Sequence, residues 1–313
     1  MSTRSVPLTV TMLTECALVV IVTAPLAIAI LAKRAYKERK DHVTILFLIA
    51  ADIFYALSFG YMNVERYIFR PPGYNSSGHS QVPASDCNFH PTCIFMFLSV
   101  QVLGSINLSV AVDRLIATVW PTKYYQLGPR ASVILMSVPF LVAIFFYVLN
   151  CILNYTSEEV ISATCPYYSF PHPVLDPFFT YHRLVSTAAT IPIYMVIGFL
   201  LWRRTVRHRN LNGRQQSNHL AIHLTLAMTT LAAVIFMMVP DIITAAIPRR
   251  TLGGDFRLIL SCVVLGKAFA NFAIYIWRFR ELRTLYIQLF TKSFQVRRKT
   301  VIDMSSNNLT PIK

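Results

Sequence analysis

Six ionisable side chains sit inside long apolar stretches of this sequence: Glu15, Asp52, Asp113, Arg114, Asp241 and Lys267. A charge in hydrocarbon costs at least ~2.5–3.5 kcal/mol on insertion scales, so each needs a partner or a task. Asp52 falls midway along its run, in LIAADIFY, too deep to reach water. Lys267 lies near the middle of another run, and Asn271 and Tyr275 follow at steps of four. That spacing puts an ammonium, an amide and a phenol on one helical stripe. The economical arrangement is an Asp52–Lys267 ion pair bridged by Asn271, because neither charge is tolerable alone. Such a pair suits a polar relay and a device that only fixes helix packing equally well. Asp113 and Arg114 close a run that also carries Gln101, Ser105, Asn107 and Ser109, and a basic loop follows. Asp241 has no obvious outlet in its helix and could meet a cationic ligand or Arg183; a helix-end charge facing water is the competing reading. Glu15 is close enough to the end of its run to snorkel.

Elements of membrane length must carry these residues. Of the 313 residues 55% are hydrophobic and 14% charged, and mean hydropathy is +0.51, values outside the range of soluble domains. Seven stretches are long enough to cross about 30 Å of hydrocarbon as helices. The expected fold is all-α, a membrane-spanning seven-helix bundle over residues 1–291. Helices are expected at about 10–33, 43–69, 92–120, 130–153, 178–204, 218–247 and 256–278, with an amphipathic eighth at 279–291 on the cytoplasmic face and a flexible tail at 292–313.

Charge orients the bundle, because short loops rich in Lys and Arg stay in the cytoplasm. Most of the 29 basic residues fall after the first, third and fifth helices and in the tail, among them Lys33, Arg34, Lys37, Arg203, Arg204, Arg207, Arg280 and Arg283. The N-terminus is therefore expected outside and the C-terminus in the cytoplasm, in a multi-pass protein of the plasma membrane. The first apolar run has its positive flank on the C-terminal side and no small-residue cleavage site, so it reads as a retained helix. The net charge of +15 is confined to short loops without interleaved aromatics, which argues for anionic lipid at the inner face and against nucleic acid.

Two sequons, at Asn75 and Asn154, fall on the side that charge places outside, so Asn75 is a glycosylation candidate and Asn154 a second one close to the bilayer. Cys87, Cys93 and Cys165 face the same oxidising side. A bridge from Cys165 to Cys87 or Cys93 would tie a loop across the outer mouth of the bundle and leave one thiol over. Pro25, Pro139, Pro192 and Pro240 interrupt apolar runs and mark hinges, since proline removes a backbone hydrogen bond.

Taken together, these features resemble a rhodopsin-like G-protein-coupled receptor. The resemblance rests on Asp52 after Leu48, on Asp113-Arg114-Leu115, on Pro192 and Pro240, on Asn271-x-x-x-Tyr275, and on RFRELR leading into LYIQLF; it covers roughly residues 17–290. The first helix lacks the family's Asn and the fourth its central Trp. FMMVP has no aromatic before Pro240, Phe272 stands where the family has Pro, and no Cys follows Trp277 for a palmitoyl anchor. Such erosion resembles the divergent chemoreceptors of nematodes, which would place the protein in a sensory membrane, including that of a cilium.

The resemblance implies that Arg114 meets a heterotrimeric G protein after release from Asp113, and that Asp52, Asn271 and Tyr275 relay between ligand pocket and inner face. It implies also that Lys267 supplies covalently the positive charge that a sodium ion brings beside the Asp in many relatives. A small-molecule or peptide ligand would lie among Gln101, His182, Arg183 and Asp241, with Phe97 and Phe178 as apolar wall. No cofactor is expected. Opsins attach retinal to a Lys about six residues before the Asn, whereas Lys267 lies four before Asn271, and two residues turn a helix by about 200°. A transporter or channel would also explain intramembrane charges, but no internal repeat is found. Nor is there a metal cluster, nucleophile motif or phosphate loop, and His219 and His223 lack the intervening acid of a metalloprotease, so an enzyme is not expected.

Overall fold

A computed structural model describes residues 6–32, 40–68, 81–157, 159–162, 165, 170–207, 228, 230–247 and 254–288. The long helices are α1 (Val6–Ala32), α2 (Lys40–Ile68), α3 (Pro91–Val119), α4 (Gly128–Thr156), α5 (Asp176–Arg207) and α7 (Gly254–Arg278). Each contains a span apolar and long enough to cross a membrane, as a polytopic membrane protein requires. The shorter apolar helix Thr230–Ala246 is α6. The expected start of that helix, at 218, lies outside the described residues, as do Asn75 and the tail. After a break at Phe279, residues 280–288 form α8. Two three-residue strands, β1 (Gln81–Pro83) and β2 (Val160–Ser162), pair antiparallel between α2 and α3 and between α4 and α5, an addition to the all-α expectation.

Hydrocarbon offers no hydrogen bonds, so helices that satisfy their own backbone are favoured. The hydroxyls obey the same rule: Thr23 Oγ1 donates to the Val19 carbonyl at 2.7 Å and Ser58 Oγ to that of Phe54 at 2.7 Å, one turn earlier in each case. Pro25, Pro139 and Pro192 lie inside α1, α4 and α5. At Pro240 the consequence is visible in the backbone, because Val234–Met238 is a π-helical turn directly before it. A proline ring collides with the carbonyl four residues back, here that of Phe236, and a widened turn relieves the collision. α7, by contrast, runs unbroken through Phe272, as a helix without that proline can. The Phe272 ring packs on Tyr286 with centroids 5.3 Å apart, joining α7 to α8.

α3 is the central element. In its apolar span 78% of residues are buried, against 22% for α4 and α5, and it packs on α2, α4 and α5. This explains why polar candidates concentrate there: Gln101, Ser105, Asn107, Ser109, Asp113 and Arg114 are all buried. α1 packs mainly on α2, and α7 closes the bundle against α1 and α6.

Candidate functional site: three polar layers in one bundle

The first layer is centred on Arg114, near the end of α3. Its guanidinium meets Asp41 Oδ1 at 2.5 Å, Asp113 Oδ2 at 3.3 Å and Thr44 Oγ1 at 3.4 Å. Asp113 in turn accepts from the Tyr124 hydroxyl at 2.9 and 3.0 Å and from Ser132 Oγ at 3.3 Å. Tyr124 stands on the short helix Pro121–Gln126. The Lys40 ammonium donates to its carbonyl and sits 3.8 Å from its ring centroid, a cation–π contact. Burial raises the Tyr124 phenol above its ordinary range against the lowering effect of Arg114, with Asp113 adding to the rise. The phenol therefore stays a neutral donor. Two cations and two carboxylates thus balance, Arg114 and Asp113 buried and Lys40 and Asp41 partly exposed.

The sequence brings Arg114 and Asp113 together but not Asp41, the closer acid. With the second helix expected from 43, Asp41 falls in a loop; with α2 beginning at Lys40, it falls in the first turn and faces α3. Tyr124, Thr44 and Ser132 carry no spacing signal, since three separate elements deliver them.

The middle layer follows the stripe expected on α7. Lys267 Nζ is 3.0 Å from Asp52 Oδ1 and Asn271 Nδ2 is 2.9 Å from Asp52 Oδ2. Asp52, Lys267 and Asn271 are 3%, 1% and 1% exposed. Tyr275, one turn on, is wholly buried, and its hydroxyl has no hydrogen-bond partner among the described residues. Leaving such a group unsatisfied costs roughly 1–3 kcal/mol.

The third layer joins α5 to α6. Arg183 Nε donates to Asp241 Oδ2 at 2.7 Å, and a second guanidinium nitrogen reaches Asp241 Oδ1, the bidentate geometry that is strongest for this pair. Asp241 is thereby a buried, paired carboxylate and not a helix-end charge facing water. Gly104 on α3 permits it: a Cβ there would lie 2.5 Å from Arg183 Cγ and 3.3 Å from its Cα. Beside the pair, Tyr55, Val100, Leu103, Met237 and Val264 bound a cavity of about 20 Å³, room for a single water. His182 Nδ1 is 3.2 Å from Gln101 Oε1.

At this end of the molecule the burial of Phe178 and Asn154 departs from expectation, and the choice between the two cysteine pairings is made. Phe178 is not an inward wall: it is 46% exposed and lies against His182 and Phe146. Phe179, its neighbour, turns inward instead and meets Phe97 edge-on at 4.8 Å. A helical step of 100° separates the two, and hydrophobicity alone does not say which faces in. Asn154, the second glycosylation candidate, is 1% exposed and its amide donates to Asn88 Oδ1 at 3.1 Å and to the Phe170 carbonyl at 3.2 Å, a packing that leaves no space for a glycan. Cys165 pairs with Cys87, their Cα atoms 5.5 Å apart, while Cys93 stays a buried thiol whose Sγ approaches the Cys165 carbonyl at 3.4 Å. The paired strands end near both bridged cysteines, so disulfide and sheet hold the same loop over Phe97 and Phe170.

Among the described residues no group of His, Cys, Asp and Glu is arranged to hold a metal ion. No family model matches the chain, and no curated protein matches it in sequence.

Proposed function

We propose that this chain is a seven-span receptor of the rhodopsin-like kind, in which an outside chemosensory ligand controls a heterotrimeric G protein at the inner face. The observation that carries the reading is the clasp on Arg114. A guanidinium with permanent charge is buried near the end of the most enclosed helix and held by acids from its own helix and from α2. A charge used only for anchoring would reach the headgroups instead.

Three further features fit. The ion-paired layers lie on five helices, so a shift of one helix alters the partners of another. The orphaned Tyr275 hydroxyl is a group that gains a hydrogen bond only if its surroundings move. The π turn before Pro240 gives α6 a local hinge. α6, with the apolar sequence before it, supplies the remaining span, and α8 would lie along the inner membrane surface as an amphipathic helix does. Lys267 serves in this reading as the countercharge of Asp52. Binding outside shifts the population towards a state in which the inner ends of α5 and α6 separate and Arg114 is released.

The test is nucleotide exchange on a reconstituted heterotrimeric G protein without added ligand. Asp41→Asn loosens the clasp and is expected to raise basal exchange several-fold; Arg114→Ala is expected to abolish it. Equal exchange by the unaltered chain, Asp41→Asn and Arg114→Ala would refute the reading.

A further inference from the structure

Between α1 and α7 lies a shallow, open groove of about 370 Å³ lined by Val10, Thr11, Thr14, Glu15, Leu18 and Phe269. It is separate from all three polar layers and open on one side. Its chemistry centres on Glu15. α1 begins at Val6, so Glu15 stands in the third turn of the helix and not at its end. It is half-buried, and its hydrogen-bond partner is the Cys262 thiol of α7, a weak donor.

The other intramembrane carboxylates each face a cation: Asp52 has Lys267, Asp113 has Arg114 and Asp241 has Arg183. Glu15 faces none among the described residues. The neighbouring hydroxyls offer no countercharge and are committed, Thr11 to the Pro7 carbonyl at 2.9 Å and Thr14 to the Val10 carbonyl at 2.8 Å. What remains is an apolar trough of Val10, Leu18 and Phe269 with one acidic group in it.

We propose that this groove binds a single-chain amphiphile with a protonated amine head, its ammonium against Glu15 and its chain along Leu18 and Phe269. The open side admits such a molecule from the lipid phase. An ammonium supplies the missing countercharge, which is worth most where water is scarce. A neutral alcohol of equal length brings the apolar term without the charge, and a fatty acid sets two carboxyl groups against each other. A phosphate carried beside the amine would stand close to Glu15, which disfavours zwitterionic two-chain lipids. The proposal needs only that the chain spans a membrane, and is independent of coupling to a G protein.

The experiment is photolabelling of the full chain in phosphatidylcholine nanodiscs with a diazirine-bearing long-chain primary amine, alongside the alcohol and carboxylic acid of the same length. Peptides containing residues 10–18 are expected to be labelled by the amine ~10-fold or more above the alcohol, the ratio that modest charge recognition gives. Glu15→Gln removes the preference and Glu15→Asp keeps part of it. Leu18→Trp fills the trough and blocks labelling with the charge intact. Equal labelling by amine and alcohol, or an unchanged preference in Glu15→Gln, overturns the proposal. The probe comparison on the unaltered chain decides the matter even if a variant folds poorly.

Discussion

At the scale of single residues, partner identity governs what each buried charge can do. Lys267 and Asp52 neutralise one another at 3.0 Å with almost no solvent contact, so removing one leaves the other stranded. Lys267→Met should lower the thermal midpoint of the detergent-solubilised protein, by the equivalent of ~3–5 kcal/mol in other buried pairs. Asp52→Leu combined with Lys267→Met should recover much of that loss, since an apolar replacement of the whole pair is often neutral. A midpoint unchanged in the single variant would mean that Asp52 finds another cation. Phe178 and Phe179 offer a second contrast at this scale. Phe179→Ala empties a site packed against Phe97 and should cost about 3–5 kcal/mol, whereas Phe178→Ala, at a largely exposed ring, should leave the midpoint nearly unchanged. Equal losses would mean that the helix face has been assigned wrongly.

At the scale of elements, two close approaches decide how the helices sit. Gly104 receives the Arg183 backbone and stem, with a hypothetical Cβ only 3.3 Å from Cα of Arg183. Backbone cannot swing aside, so Gly104→Ala forces α3 and α5 apart and disturbs the Arg183–Asp241 pair, an overpacking cost of ~1–3 kcal/mol. Gly266 on α7 is the milder case, its Cβ meeting the Phe236 ring at 3.3 Å, and a ring can yield by tenths of an ångström. Thermal midpoints should therefore fall more for Gly104→Ala than for Gly266→Ala; the reverse order would contradict the packing described. The same two contacts join the central helix to α5 and the unbroken α7 to the π turn of α6. A displacement of α3 or α7 would therefore be passed to α5 or to the π turn of α6, which is what the proposed receptor reading requires.

At the scale of the molecule, the two sequons share an expected side of the membrane, and burial bears on Asn154 alone. The proposed orientation puts Asn75 and Asn154 outside, but Asn154 is locked into hydrogen bonds beneath the disulfide-tied loop. On expression in a secretory cell, Asn75→Gln should abolish the glycosidase-sensitive gel shift and Asn154→Gln should leave it intact. A shift lost only in Asn154→Gln would overturn the account of that loop.

Much of the architecture was legible because membrane length and helical period are local properties: a run of apolar residues declares a span, and steps of four align Lys267, Asn271 and Tyr275. Electroneutrality carried the inference one step further, since a charge deep in hydrocarbon implies its partner, and Asp52 was the acid that suited Lys267. Only the tertiary structure decided the rest. That Asp41 outreaches Asp113 for Arg114, that Cys87 and not Cys93 bridges to Cys165, that Phe179 turns in while Phe178 turns out, and that Glu15 sits in a groove with no countercharge among the described residues depend on distances between elements far apart in sequence. Such distances are set by side-chain volume and helix register, as where Gly104 lets Arg183 pass, and no periodicity within one segment records them.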